Sequence, residues 1–457
     1  MGYGFHVVRH TVESIRMRVA QPTLVIVHAV AQESPSESEK KVQEGGFSVL
    51  NEIRKNNELM DIFCTLVQIP SPSKKEEKVI EWIKNFAKNN QITCDSDNYG
   101  NLYLKVESTD SNKQPIMLSA HMDVVGDDSP IELILDGDFI KANDRTLGAD
   151  DKVGVACALY LAKLLKSETK PHGGLEIIFT RDEETGMSGI ENSELNRVQS
   201  KYVLVLDADK LGQLQISGAG YTNAKISVKA LKGGHSGIDI GDKTRLNAVK
   251  LACELINNFP QGVFYEDETG VVTSCNIGAI VGGGIQNAVK TLVEQHADSK
   301  NFITDIIDRS STNIINTLTE ISYSIRSSDV TKEQELKDLM LDCINNFNEK
   351  YAGLACAEIE FSIHLLPFEK SGDDYIPQVH TQAAKEVGVK NSVESFHAGA
   401  ETHIYAHSVN GNGEKFIPFL VGSADVYNMH SAEEKVDYKT ILKGFELLKK
   451  FFEIYNA

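Results

Sequence analysis

Several stretches of this 457-residue chain end a run of apolar residues in groups that hold protons or cations. "PIMLSAHMDVV" stops at His121 and Asp123, "LEIIFTRDEE" at Glu183 and Glu184, and "YVLVLDAD" at Asp207; Asp150 opens the apolar stretch "DDKVGVACALYLAKLL". Burying an imidazole and carboxylates without partners is costly, so something must bind them. Each alone has a plain reading: a helix cap, a solvated acidic pair, a histidine that ligates nothing. Four on successive elements point instead to two divalent cations. Oxygen and imidazole donors without cysteine suit zinc, manganese or cobalt. Two such ions ~3.5–4 Å apart need a shared anion, which a single carboxylate can supply. Asp123 cannot easily reach the ion of His121 from the same strand. It fits behind the imidazole, accepting the other ring N–H. A glutamate beside the ligands then has the task of a base that takes a proton from water.

The elements that must position these groups follow from periodicity. Two helix-period stretches between Leu50 and Phe86 flank "QIPSPSKKEE", whose prolines and serines stop one helix and cap the next. Continuous apolar strands at "PIMLSAHMDVV", 175–180 and 202–206, separated by a helix at 151–165, indicate a mostly parallel sheet covered on both faces. Acids at the carboxyl ends of such strands lie where open α/β sheets build their sites. After "SGAGY" the texture changes. "TNAKISVKA" alternates strictly, as a half-exposed antiparallel strand does. A helix over 246–256, strands at "GVVTSCNIGAIV" and "TLTEISYSIRS", a helix over 333–347 and a strand "AEIEFSIHL" complete a β-α-β-β-α-β order. That is an α+β, ferredoxin-like inserted domain. A polar, partly helical insert at 285–316 interrupts it. The chain returns to a buried strand at "KFIPFLVG" and ends in an amphipathic helix. The expected organisation is an extension over 1–45, a catalytic domain from 46–220 and 368–457, and an inserted domain over 221–367.

Charge and cysteine usage bound the partners. A formal charge of −19 argues against nucleic acid or an anionic membrane, and no apolar run reaches the ~18 residues of a membrane helix. Seven scattered cysteines without a CxxC pattern suggest reduced thiols and a cytoplasmic protein. "PTLVIVHAVAQ" invites a signal-peptide reading, but Pro22 and His28 interrupt it, and residues 1–45 read better as a dispensable, disorder-like extension.

"SAHMDVV", "TLGADDKVG", "IIFTRDEETG", "VLDAD", "KGGHSG", "YSIRSSD" and "NMHSAEE" occur in the order seen in the cocatalytic dizinc peptidases. The chain resembles this family of tripeptidase T, aminoacyl-histidine dipeptidase, carboxypeptidase G, aminoacylase and succinyl-diaminopimelate desuccinylase over roughly residues 50–457. The resemblance implies a catalytic domain with an inserted lid that also dimerises. It makes His121 and Asp207 ligands of one metal, Glu184 and His430 ligands of the other, and Asp150 the bridge, with the following peptide bond often cis. It makes Glu183 the general base and Asp123 the residue behind the histidine. His235 would polarise the scissile carbonyl, often from the partner subunit, and Arg326 would hold the substrate carboxylate. Each of these two also has a plain reading, as a turn histidine and a strand-edge arginine. Asn287 in "GGGIQNAV" is a further substrate-binding candidate. "HGGLEIIFTRDEETGMSG", "LKGGHSG" and "FHAGAET" lean toward the dipeptidases, while the short lid resembles that of tripeptidase T. The implied function is removal of the N-terminal residue from short peptides, with tripeptidase and dipeptidase both open. An amidohydrolase acting on N-acyl amino acids would use the same site. A non-catalytic peptide-binding relative would lack the base, and Glu183 is present.

Overall fold

The computed structural model describes residues 37–282 and 312–457. Eight strands form the main sheet, in the spatial order Thr93–Ser96, Leu102–Val106, Leu175–Thr180, Ile116–His121, Tyr202–Ala208, Ile417–Gly422, Gln213–Gly218, Ser392–Phe396. The four central strands, from Leu175–Thr180 to Ile417–Gly422, are mutually parallel. Their carboxyl ends therefore open on one side of the sheet. Alternate residues feed two cores. Leu118, Ile177 and Leu204 pack with the buried helix Ala149–Lys166 and the C-terminal helix Tyr438–Tyr455. Met117, Ile178, Val203 and Val205 pack on the other face with Ile190, Tyr405 and Phe416. Burial on both faces is why these strands read as unbroken apolar runs.

A second, wholly antiparallel sheet of five strands lies between Gly220 and Leu365, in the order Gly262–Glu266, Val272–Val281, Leu318–Ser327, Gly220–Ala230, Ala355–Leu365. Burial on Gly220–Ala230 alternates throughout. Its inward residues, Ala224, Ile226 and Val228, meet helices Ala248–Ile256 and Val330–Lys350 in a separate core. Gly262–Glu266 was not expected, nor were Thr93–Ser96, Leu102–Val106, Gln213–Gly218 and Ser392–Phe396 of the main sheet. Gly262–Glu266 is a mostly exposed edge strand without apolar alternation, so only its pairing reveals it.

A small four-stranded sheet was also not anticipated. Hairpin strands Leu133–Asp136 and Phe139–Ala142 pair with Lys435–Asp437 and then Val426–Tyr427. Strands of two to four residues carry too little pattern to read. Of the extension expected over 1–45, residues 1–36 lie outside the described residues, and helix Glu37–Asn56 already begins at Glu37. The insert expected at 285–316 lies largely outside the described residues. Among the described residues no helix is long and apolar enough to cross a membrane, and none of the seven cysteines is in a disulfide.

Candidate metal centre

His121 ends its strand with its side chain only 2% exposed. Its Nδ1 lies 3.0 Å from the Asp123 carbonyl oxygen, an atom that can only accept, so Nδ1 carries a proton. Nε2 then faces Asp150 Oδ1 at 3.1 Å and Asp207 Oδ1 at 3.5 Å. On the other side, Asp150 Oδ2 lies 3.1 Å from His430 Nε2, which is 3.0 Å from Glu184 Oε2. Asp150 thus turns one oxygen to each histidine, and each histidine has a second carboxylate beside it. Glu184 Oε1 is buried with no partner. Ligand atoms of His121, Asp150 and Glu184 lie within 4.8 Å of one another. Acceptors aimed at acceptors need a proton or a cation between them, and imidazole with carboxylates is the donor set of a divalent-metal site.

Asp123 holds this arrangement from behind. Fully buried, it accepts the backbone N–H of Glu183 at 3.0 Å on Oδ1. Its Oδ2 accepts that of Glu184 at 3.1 Å and the Ser73 hydroxyl at 2.7 Å. The glutamate turn is thereby tied to the histidine strand. Glu183's carboxyl is half-buried and takes part in no hydrogen bond or ion pair among the described residues. Asp150 opens its helix with non-helical backbone angles, and the Asp150–Asp151 peptide bond is cis.

Charge crowding shapes the proton affinities. Burial opposes an imidazolium at His121, but hydrogen bonds with Asp123, Asp150 and Asp207 raise its pKa well above the usual value. Burial, and then the nearby Asp150, push Asp207 up as well. Asp150 moves the opposite way: despite burial, its hydrogen bonds with His121 and His430 lower it. Burial raises Glu183 to about 8, helped by Glu401, Glu184 and Asp150 against the pull of His121. Burial likewise raises Glu184 to about 7, aided by Asp150. The hydrogen bond to Asp150 lifts His430 to about 9. Asp123 goes the other way: despite burial, its contacts with His121, the Glu183 N–H and Ser73 lower it to about 2.

The family model for peptidase family M20/M25/M40 matches residues 117–454. The chain belongs to that family. As an M20-family protein it is a metallopeptidase. The cytosol non-specific dipeptidase of Escherichia coli (strain K12) is 26% identical over 400 residues, covering 80% of this chain and 76% of the relative. Aminopeptidase PepT from Bacillus cereus ATCC 10987 superposes with a TM-score of 0.72 at 22% identity, covering 87% of this chain and 98% of that one. The Bacillus subtilis YXEP protein, described as a dinuclear metal-binding peptidase of the M20 family, superposes at 0.60 with 14% identity, covering 86% and 96%.

In this M20 metallopeptidase the fold gathers His121, Asp123, Asp150, Glu184, Asp207 and His430 through direct contacts and sets Glu183 beside them. It does not bring in the two described candidates that lie between Gly220 and Leu365. His235 is exposed on the short strand Gly234–His235, with Nδ1 accepting the N–H groups of Gly237 and Ile238, and it contacts none of the cluster residues. Arg326 stacks over Tyr221, 5.0 Å from the ring centroid, and lies near His397, whose Nε2 is 2.7 Å from Ser274 Oγ. Asn287 lies outside the described residues. Sequence reasoning missed Ser73, Glu401 and Glu434. Glu401 is buried below the site; Ser119 donates to its Oε2 at 3.0 Å, and its Oε1 has no partner. All three lie in the stretches "QIPSPSKKEE", "FHAGAET" and "NMHSAEE", but nothing local marks which hydroxyl or acid turns inward.

Proposed function

We propose that this metallopeptidase is an exopeptidase that removes the N-terminal residue from short peptides, using two divalent ions, zinc first, with manganese or cobalt as alternatives. One observation carries the reading: Asp150 presents its two carboxylate oxygens to two separate imidazole nitrogens, at 3.1 Å each, with Asp207 beside one and Glu184 beside the other. His121 and Asp207 would hold one ion and His430 and Glu184 the second, with Asp150 offering an oxygen to each. When bound, such ions supply Lewis acidity, activating a water and polarising the scissile carbonyl. Glu183, whose carboxyl is unengaged beside the ligands, would take the proton from the attacking water and return it to the leaving amine. Asp123 fixes the His121 tautomer and the glutamate turn. Residues 221–367 act as a lid that carries substrate-binding groups. Arg326 binds the peptide carboxylate, with Asn287 a second substrate contact. His235, exposed on the lid, donates to the developing oxyanion, in a homodimer from the partner subunit. Free thiols support a cytoplasmic location.

The test is elemental analysis of the purified chain, with release of free amino acids from di-, tri- and N-acylated substrates after adding zinc, manganese or cobalt separately. About two ions per chain, and release from free-amino di- or tripeptides, are expected. Turnover of acylated substrates alone would replace the reading with a deacylase. Full activity in chelator, with no metal found, would remove the metal centre.

A further inference from the structure

Glu434 sits four residues after His430, in a chain segment distant in sequence from Asp150, yet it is 1% exposed and faces the turn that carries Asp150. Its Oε2 accepts the Thr146 hydroxyl and the Gly148 N–H (2.9 Å), while Oε1 accepts the N–H groups of Ala149 (2.8 Å) and Asp150 (3.3 Å). The adjacent Glu433 is exposed, so the chain turns only one of the two acids inward. The turn leaves room for nothing else. Gly148 has φ +77°, and a Cβ there would come within 2.7 Å of Val124 Cγ1. Gly148 offers helix Ala149–Lys166 no side-chain cap. Glu434 supplies that cap from another part of the chain, where a helix N-terminus favours an anion. Its own backbone N–H donates to Ser431 O at 3.2 Å, and the Ser431 hydroxyl donates to Asn428 O at 2.7 Å, which closes the turn that presents His430. Beyond Glu434, the strand Lys435–Asp437 pairs with Phe139–Ala142. A ring of contacts results, from Asp150 to His430, through the 428–434 turn to Glu434, and back to Asp150.

We propose that Glu434 is a positioning residue that locks the Asp150 and His430 segments together and thereby sets the metal affinity of the centre. The inference rests on the dimetal reading. His430's side chain is 52% exposed, and its position depends on its turn. Holding that turn to the Asp150 backbone means that less ordering remains to be done when a cation binds. Glutamine cannot replace Glu434: in either orientation its amide N–H₂ meets two donors.

The experiment compares wild type, E434Q and T146V as full chains. Zinc affinity is read by competition with a chromophoric chelator, and thermal midpoints are taken in chelator and in zinc. E434Q should bind zinc roughly 10–100-fold more weakly, the range seen when groups behind metal ligands are removed, with a smaller zinc-induced rise in midpoint. T146V, which takes away one of the four donors, should weaken binding less than E434Q but measurably. Folded E434Q with wild-type affinity would overturn the proposal, even if its midpoint in chelator fell, because that would mark a purely structural role. Should E434Q fail to fold, unchanged affinity in T146V would overturn it and a several-fold loss would support it. A wild-type chain that binds no zinc would overturn both this inference and the dimetal reading; two wild-type sites left unchanged in the variants would overturn this inference alone.

Discussion

The two sheets treat polar residues in opposite ways. The parallel sheet sends His121, the Glu183–Glu184 turn, Asp207 and the segment leading to His430 to one edge, because its four central strands run in one direction and all carboxyl ends open together. The antiparallel sheet has no common end. Arg326, on the strand Leu318–Ser327, stacks on Tyr221, and His235 stands apart, exposed on the short strand Gly234–His235, which belongs to a separate two-stranded pairing. The contrast teaches that a common strand direction brings charged groups to one end of a sheet, where a helix start and a turn add Asp150 and His430, whereas an antiparallel sheet gathers none.

That contrast can be broken most sharply at Glu183. Glu183→Gln should lower kcat by roughly 10²–10⁴-fold, the usual worth of a general base. Its metal content should match wild type, because Glu183 is not among the converging ligand atoms. Turnover near wild type would show that the parallel-sheet edge does not hold the base.

On the antiparallel side, His235→Ala should lower kcat about 10²–10³-fold, the cost of losing one oxyanion donor, again with metal content unchanged. Mixing Glu183→Gln chains with His235→Ala chains should restore activity if the histidine acts across subunits. Absence of complementation despite demonstrated subunit exchange would confine His235 to its own chain.

The smallest effect is one of pH on stability, and it separates the sheets through titration. Glu183 and Glu184 have folded pKa values raised from 4.5 to about 8 and about 7, so the chelated folded chain holds protons that the unfolded chain releases. His380 and His403, both lowered by burial to about 4, and Lys152, lowered by burial to about 7, slope the opposite way. Against them, the two glutamates make stability of the chelated protein fall as pH rises from about 5 to 8. His430, raised from 6.5 to about 9, acts in the same direction: its contribution is complete below 6.5 and lost as pH passes 9. Asp123, depressed from 3.8 to about 2, contributes fully above pH 4 and adds no slope in that window. Calorimetry should show the midpoint of the chelated chain dropping by a few degrees across the window and recovering when zinc replaces the protons. A midpoint that does not move with pH would mean that the cluster is already neutralised some other way.

The amino-acid sequence alone determined the periodicities: unbroken apolar runs for strands buried on both faces, strict alternation for Gly220–Ala230, and acids and an imidazole where the parallel strands stop. Those patterns are local, so they survive in one dimension, and they were enough to point to a candidate metal centre at the strand ends, while His430 entered only through the family resemblance. Tertiary structure decided what depends on two distant segments meeting. Glu433 and Glu434 are identical neighbours in sequence, and only the pairing of Lys435–Asp437 with Phe139–Ala142 turns one of them onto the Asp150 backbone. Glu401 becomes part of the site's surroundings only because its loop packs beneath Ser119. The edge strand Gly262–Glu266 exists because Val272–Val281 offers it hydrogen bonds, not because its own residues demand a strand. A buried carboxylate is specified by the donors that surround it, and those donors come from elsewhere in the chain.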